Sequence, residues 1–155
     1  MSTIEKLIET FDDKLQSIGV PGTPFDLSDY IYGRCHIFAL ALQEELGYEM
    51  EFLWDTDYWF DGEDFPSKVL VHAYCILPKG KEFKGKYLDA RGLVSKRMIE
   101  LEYDWNTRCY ELTSIEQLKE IINNFVLEAP EKEEIQAIRK FIRENRHIYI
   151  FNLLL

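Results

Sequence analysis

The sequence predicts an α+β domain in which a buried helix packs on an antiparallel hairpin. Two stretches and the composition carry this expectation. Residues 35–46, CHIFALALQEEL, are apolar almost all round for two turns, and Gly47 follows as a natural stop. A helix of that kind lies inside a core rather than on its surface. VLVHAYCIL (69–77) is rich in β-branched residues, and KYLDA (86–90) returns after a turn-forming stretch of Pro, Gly and Lys. Hydrophobic residues make up 46% of the 155, with 10 Phe, 9 Tyr and 3 Trp, enough to fill the core of one domain and to exclude global disorder.

The remaining elements follow in order. Ile4, Leu7, Ile8, Phe11, Leu15 and Ile18 recur at spacings of three and four, an amphipathic helix over 3–18 that Gly19 ends. VPGTPFDLSDYIYG (20–33) reads as an ordered loop. MEFLW (50–54) is a strand, and DTDYWFDGEDFPS (55–67) an acidic, aromatic loop. Residues 91–112 are ambiguous, since RMIELEYDW fits strand or helix. Ser114 opens a helix to about residue 126, with Gln117 completing a capping box. Pro130 starts another helix through EKEEIQAIRKFIREN, and HIYIFNLLL (147–155) reads as a final strand needing a covered sheet edge. Repeats and low-complexity linkers are absent, so a single domain over 1–155 is expected.

Charge and cysteine usage narrow the function classes. Eighteen basic against 28 acidic residues give a net charge of −10. That argues against a nonspecific nucleic-acid binder and against attraction to an anionic membrane. Cys35, Cys75 and Cys109 are odd in number and lie far apart without CxxC, against a disulfide scaffold or a Cys-rich zinc module. The N-terminal residues carry no apolar run, and no stretch approaches the roughly 20 apolar residues of a membrane span. The expectation is a soluble, cytoplasmic protein with free thiols, neither membrane nor nucleic acid among its partners, and no metal or organic cofactor.

The chemistry centres on Cys35, His72 and Asp89. Cys35 follows Gly33-Arg34 and opens the buried helix, where free N–H groups and the positive end of the helix dipole favour a thiolate. The same N–H groups suit an oxyanion. His72 lies within the strong strand and Asp89 on the returning one. A hairpin symmetric about Gly80/Lys81 pairs 72 with 89 on one face, where a carboxylate orients an imidazole.

The order Cys, His, Asp on GRCHIFALAL, VLVHAYCIL and KYLDARG resembles the papain-like cysteine protease superfamily, closest to its transglutaminase-like and NlpC/P60-like branches, over roughly residues 28–92. The resemblance implies a papain-like fold with the Cys on a central helix and His and Asp on adjacent antiparallel strands. It implies Cys35 as nucleophile, His72 as general base and acid, and Asp89 as orienting carboxylate. The reaction class is attack on an amide or related acyl bond by a peptidase, amidase, deamidase or acyl transferase. Papain takes an oxyanion donor from a Gln six positions before the Cys. Here Asp29 stands at that position and cannot donate when ionised, leaving the phenols of Tyr30 or Tyr32 as candidates.

Other residues have plainer readings. His36, about 100° round the helix from Cys35, is a poor base for it, and packing or a hydrogen bond to a loop is expected. Cys75, an odd number of positions from His72, is a core thiol. Cys109 is structural, and His147 opens the last strand. The loop 55–67 does not match a calcium loop, because Trp59 takes the third ligand position. It is solvated, or a lid or specificity loop in which Tyr58, Trp59 and Phe60 meet a protein or peptide substrate. The rival to an enzyme is a noncatalytic inhibitor or immunity-type module using that loop as its interface.

Overall fold

The computed structural model describes residues 17–78, 86–102 and 107–149. Among them are six helices and a five-stranded antiparallel sheet, an α+β arrangement. In chain order the elements are α1 (Leu27–Tyr32), α2 (Cys35–Leu46), β1 (Glu49–Tyr58), β2 (Ser67–Ile76), β3 (Lys86–Asp89), β4 (Gly92–Ser95), α3 (Lys96–Glu102), β5 (Arg108–Thr113), α4 (Ile115–Asn123), α5 (Glu134–Glu144) and α6 (Arg146–Tyr149). The strands run in the order β4-β3-β2-β1-β5. None of the described helices is long and apolar enough to cross a membrane.

The central helix forms where its pattern places it. All eight residues from Cys35 to Leu42 are buried, and α2 packs on β1, β2 and β3. It stops at Gly47, whose φ of 79° lets its N–H reach the Gln43 carbonyl at 2.8 Å. The stretch 20–33, read as loop, instead contains α1. Asp26 caps it, and Asp26 and Asp29 exchange side-chain bonds to each other's N–H at 3.1 and 3.0 Å. Asp29 is therefore the third residue of a capping box. The Asp29 carbonyl then accepts from the N–H groups of Gly33 and Arg34, so the link into α2 is a tight turn.

Several expectations are corrected. The acidic loop is shorter than 55–67, because β1 continues to Tyr58 and β2 begins at Ser67. Asp55 is 1% exposed, and its Oδ1 accepts from the N–H groups of Asp57 and Thr107 at 2.9 and 3.1 Å. It is an internal tie, not a solvated acid. The ambiguous 91–112 resolves into β4, α3 and β5. The helix expected from Pro130 begins at Glu134, after Glu133 in the left-handed region. The C-terminal strand is overturned where it is described. Residues 146–149 are helical, and the Ile148 N–H bonds the Asn145 carbonyl at 2.9 Å. An apolar run does not distinguish a strand from a short buried helix. Here the Tyr149 ring sits against Phe38 and Phe141, and its hydroxyl donates to the Ala90 carbonyl at 2.8 Å. Residues 150–155, and 3–16 of the helix expected over 3–18, lie outside the described residues, and Ser17 and Ile18 are not helical. The helix after Ser114 is found, with its capping box, over Ile115–Asn123.

Gly92 closes the two-residue turn between β3 and β4 with a φ of 98°. A Cβ there would lie 2.9 Å from the Ile148 carbonyl oxygen. Gly92→Ala combines a left-handed strain with a collision against backbone. We expect it to cost about 1–3 kcal/mol in denaturant unfolding, and to slow Cys35 alkylation as well, because the same turn carries Asp89.

Candidate active site

Three elements converge on Cys35, His72 and Asp89, whose exposures are 5%, 0% and 2%. Cys35 is the first residue of α2. No side chain caps this end, and no acidic residue stands in its first turn. The N–H groups and positive dipole end that an Asp or Ser would neutralise elsewhere are left to act on the thiol.

His72 and Asp89 meet by a different register from the expected one. β2 and β3 pair at Cys75–Leu88 and Ile76–Tyr87. Continued, that register sets Asp89 opposite Tyr74, so the expected 72–89 pair is offset by two residues. A slip of one would have sent the two side chains to opposite faces, whereas a slip of two keeps them on one. The Nε2 of His72 lies 2.8 Å from Asp89 Oδ2. With Nε2–H donated to the carboxylate, Nδ1 is the nitrogen left for Cys35.

Arg91 completes the cluster and was not singled out in the sequence. It is among the largest fully buried side chains. Its Nη2 lies 2.8 Å from Asp89 Oδ2, and its backbone N–H donates to Oδ1 at 2.8 Å. The signal was present in KYLDARG. An Asp followed two positions on by a residue whose N–H it accepts, with Gly next, is a turn device. What the pattern does not say is that the arginine folds back inward.

The electrostatics follow from burial and these partners. For Asp89, burial alone would raise the carboxyl pKa. The Arg91 charge and the His72 bond overcome this and hold it well below the usual carboxylate range. For His72, burial disfavours the cation, but Asp89 and the Cys35 sulfur together push the pKa up to about 9. For Cys35, burial raises the pKa, and interactions with the His36 and His72 rings bring it down to about 6. Cys75 behaves oppositely, because burial alone pushes its thiol well up, and its Sγ–H reaches the Ala39 carbonyl at 3.4 Å. Cys109 is partly buried with Sγ 3.5 Å from Glu111 Oε1, and its pKa is also raised.

The other candidate side chains have partners of their own or face solvent. The Tyr30 hydroxyl donates to Glu134 Oε2 at 2.7 Å, inside a cluster where Arg34 pairs with Glu134 at 2.5 Å and with Glu128 at 2.6 Å. Tyr32 is 54% exposed. Tyr58, Trp59 and Phe60 are 42–53% exposed, with Tyr58 and Phe60 edge to face at 4.8 Å and Trp59 Nε1 bonding Asp57. His36 makes the expected loop bond, Nε2 to the Glu128 carbonyl at 2.8 Å. Among the described residues no group of acids, His or Cys is arranged to hold a metal. Comparison with family models, curated proteins and solved structures finds no match.

The pH signature has a definite sign. The thiol loses its proton as pH rises through about 6, and the imidazolium loses its own as pH rises through about 9, so the thiolate–imidazolium pair occupies the window between. Iodoacetamide alkylation of Cys35, followed peptide by peptide, should rise through a midpoint near 6 and level off, while Cys75 stays slow to much higher pH. Asp89→Asn removes the charge that supports the imidazolium. It should lower the upper limit of the window from about 9 and raise the thiol midpoint. Cys35 alkylation that starts only near the ordinary thiol range would sink this description.

Proposed function

We propose that the protein is a cysteine-dependent hydrolase or acyl transferase of papain-like type, acting on an amide or related acyl bond of a protein or peptide through Cys35, His72 and Asp89. The observation that carries this reading is the continuous chain from a thiol at an uncapped helix start, through a buried imidazole, to a carboxylate 2.8 Å from its far nitrogen. A lone buried Cys or His is a packing residue, whereas this alignment spends three desolvated ionisable groups on one line.

The steps use only this chain's groups and water. The Cys35 thiolate attacks the acyl carbon, forming the S–C bond and placing charge on the carbonyl oxygen, which the N–H groups opening α2 can receive. Collapse expels the amine, which takes the proton from His72 Nδ1. Water, or an acceptor amine in a transferase, then attacks the thioester and gives its proton to His72, and the S–C bond breaks to release the Cys35 thiolate, restoring the pair. Asp89 remains ionised and holds the ring while its charge changes. Free thiols and a mechanism that needs one of them reduced suit the cytoplasm.

The half-exposed Trp59 and Phe60 favour a second reading, a binding module that uses its aromatic loop as the interface. One experiment separates the two. Incubation with a panel of peptide thioesters and activated amides should trap an acyl adduct on Cys35 in the intact-mass spectrum. Cys35→Ala should abolish both adduct and turnover with little change in stability. Asp89→Asn should reduce turnover by up to the order of 10⁴. Absence of any adduct, together with unchanged partner binding by Cys35→Ala, would favour the module.

A further inference from the structure

We propose that the tip of the β1–β2 hairpin, residues 59–66 with the flanking Tyr58, is a docking surface for a peptide segment bearing Lys or Arg. The assignment rests on the second reading above, the aromatic loop as an interface, and holds with or without catalysis at Cys35. Four aromatic side chains, Tyr58, Trp59, Phe60 and Phe65, fall close together at this end of the hairpin and are 42–69% exposed. Rings left in water in this way form an apolar patch of the kind that marks an interaction site. Asp61, Glu63 and Asp64 are exposed among them, and no basic residue stands between Asp55 and Pro66.

The rest of the molecule shows what such a patch accepts. Among the described residues three cations lie over aromatic rings, and each is also paired with a carboxylate. Arg34 sits over Phe25 at 4.2 Å and binds Glu134 at 2.5 Å. Lys68 lies over Trp54 at 4.8 Å and binds Glu111 at 2.8 Å. Lys96 lies over Tyr110 at 4.8 Å and reaches Glu100 at 3.8 Å. A ring face and a carboxylate thus hold each cation from two sides. The tip offers the same two halves, rings and carboxylates. Lys68, the one Lys or Arg of the β1–β2 hairpin, is already engaged. A cation from another chain would complete the arrangement, and the negative charge around the rings favours its approach.

The tip is ordered by its own contacts. Tyr58 and Phe60 pack edge to face at 4.8 Å, and the Trp59 Nε1–H donates to Asp57 Oδ1 at 3.3 Å. The Glu63 N–H closes a turn onto the Phe60 carbonyl at 3.1 Å, and Gly62, with a φ of 83°, supplies the left-handed residue at the third position of that turn. Rings held in this way have less freedom to lose when a partner binds. The strand register also sets the tip apart from the reacting groups. His72 stands opposite Leu53, whereas Ser67 stands opposite Tyr58. The tip therefore starts beyond Ser67, on the order of 15 Å along β2 from His72. A cationic segment can be held there without occupying the Cys35 site.

The test is a titration of the ¹⁵N-labelled full chain with an end-blocked decapeptide of alternating arginine and serine. The Trp59 indole N–H resonance, assigned by its loss in Trp59→Ala, should move and saturate, while that of the buried Trp54 stays in place. Trp59→Ala combined with Phe60→Ala leaves the net charge at −10, so long-range attraction is retained, yet affinity should fall about tenfold. Asp61→Asn combined with Asp64→Asn should weaken binding severalfold and flatten its dependence on salt. Unchanged affinity in the aromatic double variant would reduce binding to diffuse attraction and overturn the inference. No shift of Trp59, or an equal shift with a glutamate–serine decapeptide, would overturn it as well. A Trp59 resonance that moves when the protein alone is diluted would assign the tip to a second copy of the chain instead. Should the double variant fail to fold, Trp59→Leu, which keeps an apolar side chain but no ring face, is read in the same way. All these outcomes leave the Cys35 alkylation midpoint untouched, so the cysteine chemistry stands or falls separately.

Discussion

A carboxylate with 2% exposure stays ionised only if its surroundings replace the water it has lost, and the Asp89 site is organised around that requirement. Arg91 supplies a full charge and three donors, its backbone N–H, Nε and Nη2, and His72 supplies a fourth. The ion pair alone would be a poor source of stability, because desolvating two charges costs about what their attraction returns. Its effect is directional. With Asp89 pinned by its own turn, the imidazole has one place to put Nε2–H, and the opposite nitrogen is committed to the thiol. The low carboxyl pKa and the raised imidazole pKa are two consequences of the same desolvated cluster.

A second anchor holds the sulfur side. The start of α2 lacks a capping side chain, an arrangement that would ordinarily let the first turn fray. It is held instead from outside, through Arg34 to Glu134 and Glu128 and through His36 to the Glu128 carbonyl. Tyr30 adds a bond to the same Glu134, and Arg34 lies over the Phe25 ring at 4.2 Å. The helix end is thereby kept rigid without placing an acid beside the thiol. The hairpin and this clamp meet through α6, where Tyr149 packs on Phe38 of α2 and bonds Ala90 in the Asp89–Arg91 turn.

The parts of the fold legible in the sequence were those set by local chemistry. The apolar face of 35–46, the β-branched run around His72 and the Ser114–Gln117 capping box each specify an element without outside help. The 72–89 contact was legible through parity, which a two-residue register slip preserves. What could not be read depended on distant partners. Asp26 and Asp29 look like loop acids until they are seen to cap α1. Asp55 looks solvated until the Thr107 N–H arrives from across the sheet. Tyr30, weighed as an oxyanion donor because it precedes the Cys, is turned to Glu134, 104 residues away. The final apolar stretch looks like a strand because no local rule reveals that Tyr149 hangs from the Ala90 carbonyl. Arg91 belongs to the same class, since nothing in DARG distinguishes an arginine that points out from one that folds in.

The separation of the clamp residues along the chain has a consequence for how the molecule comes into being. Arg34 and Glu134 are 100 residues apart, and closing so long a loop is paid in entropy before either charge finds its partner. The segment 28–92 contains all three reacting groups, yet it lacks Glu128, Glu134 and Tyr149. A chain that has formed α2 and the hairpin but not docked α5 would hold Cys35 at a helix end without the Arg34–Glu134 and His36–Glu128 tethers. The reacting groups are thus brought together by contacts of short sequence separation and braced by contacts of long separation, and the brace costs the larger loop-closure entropy.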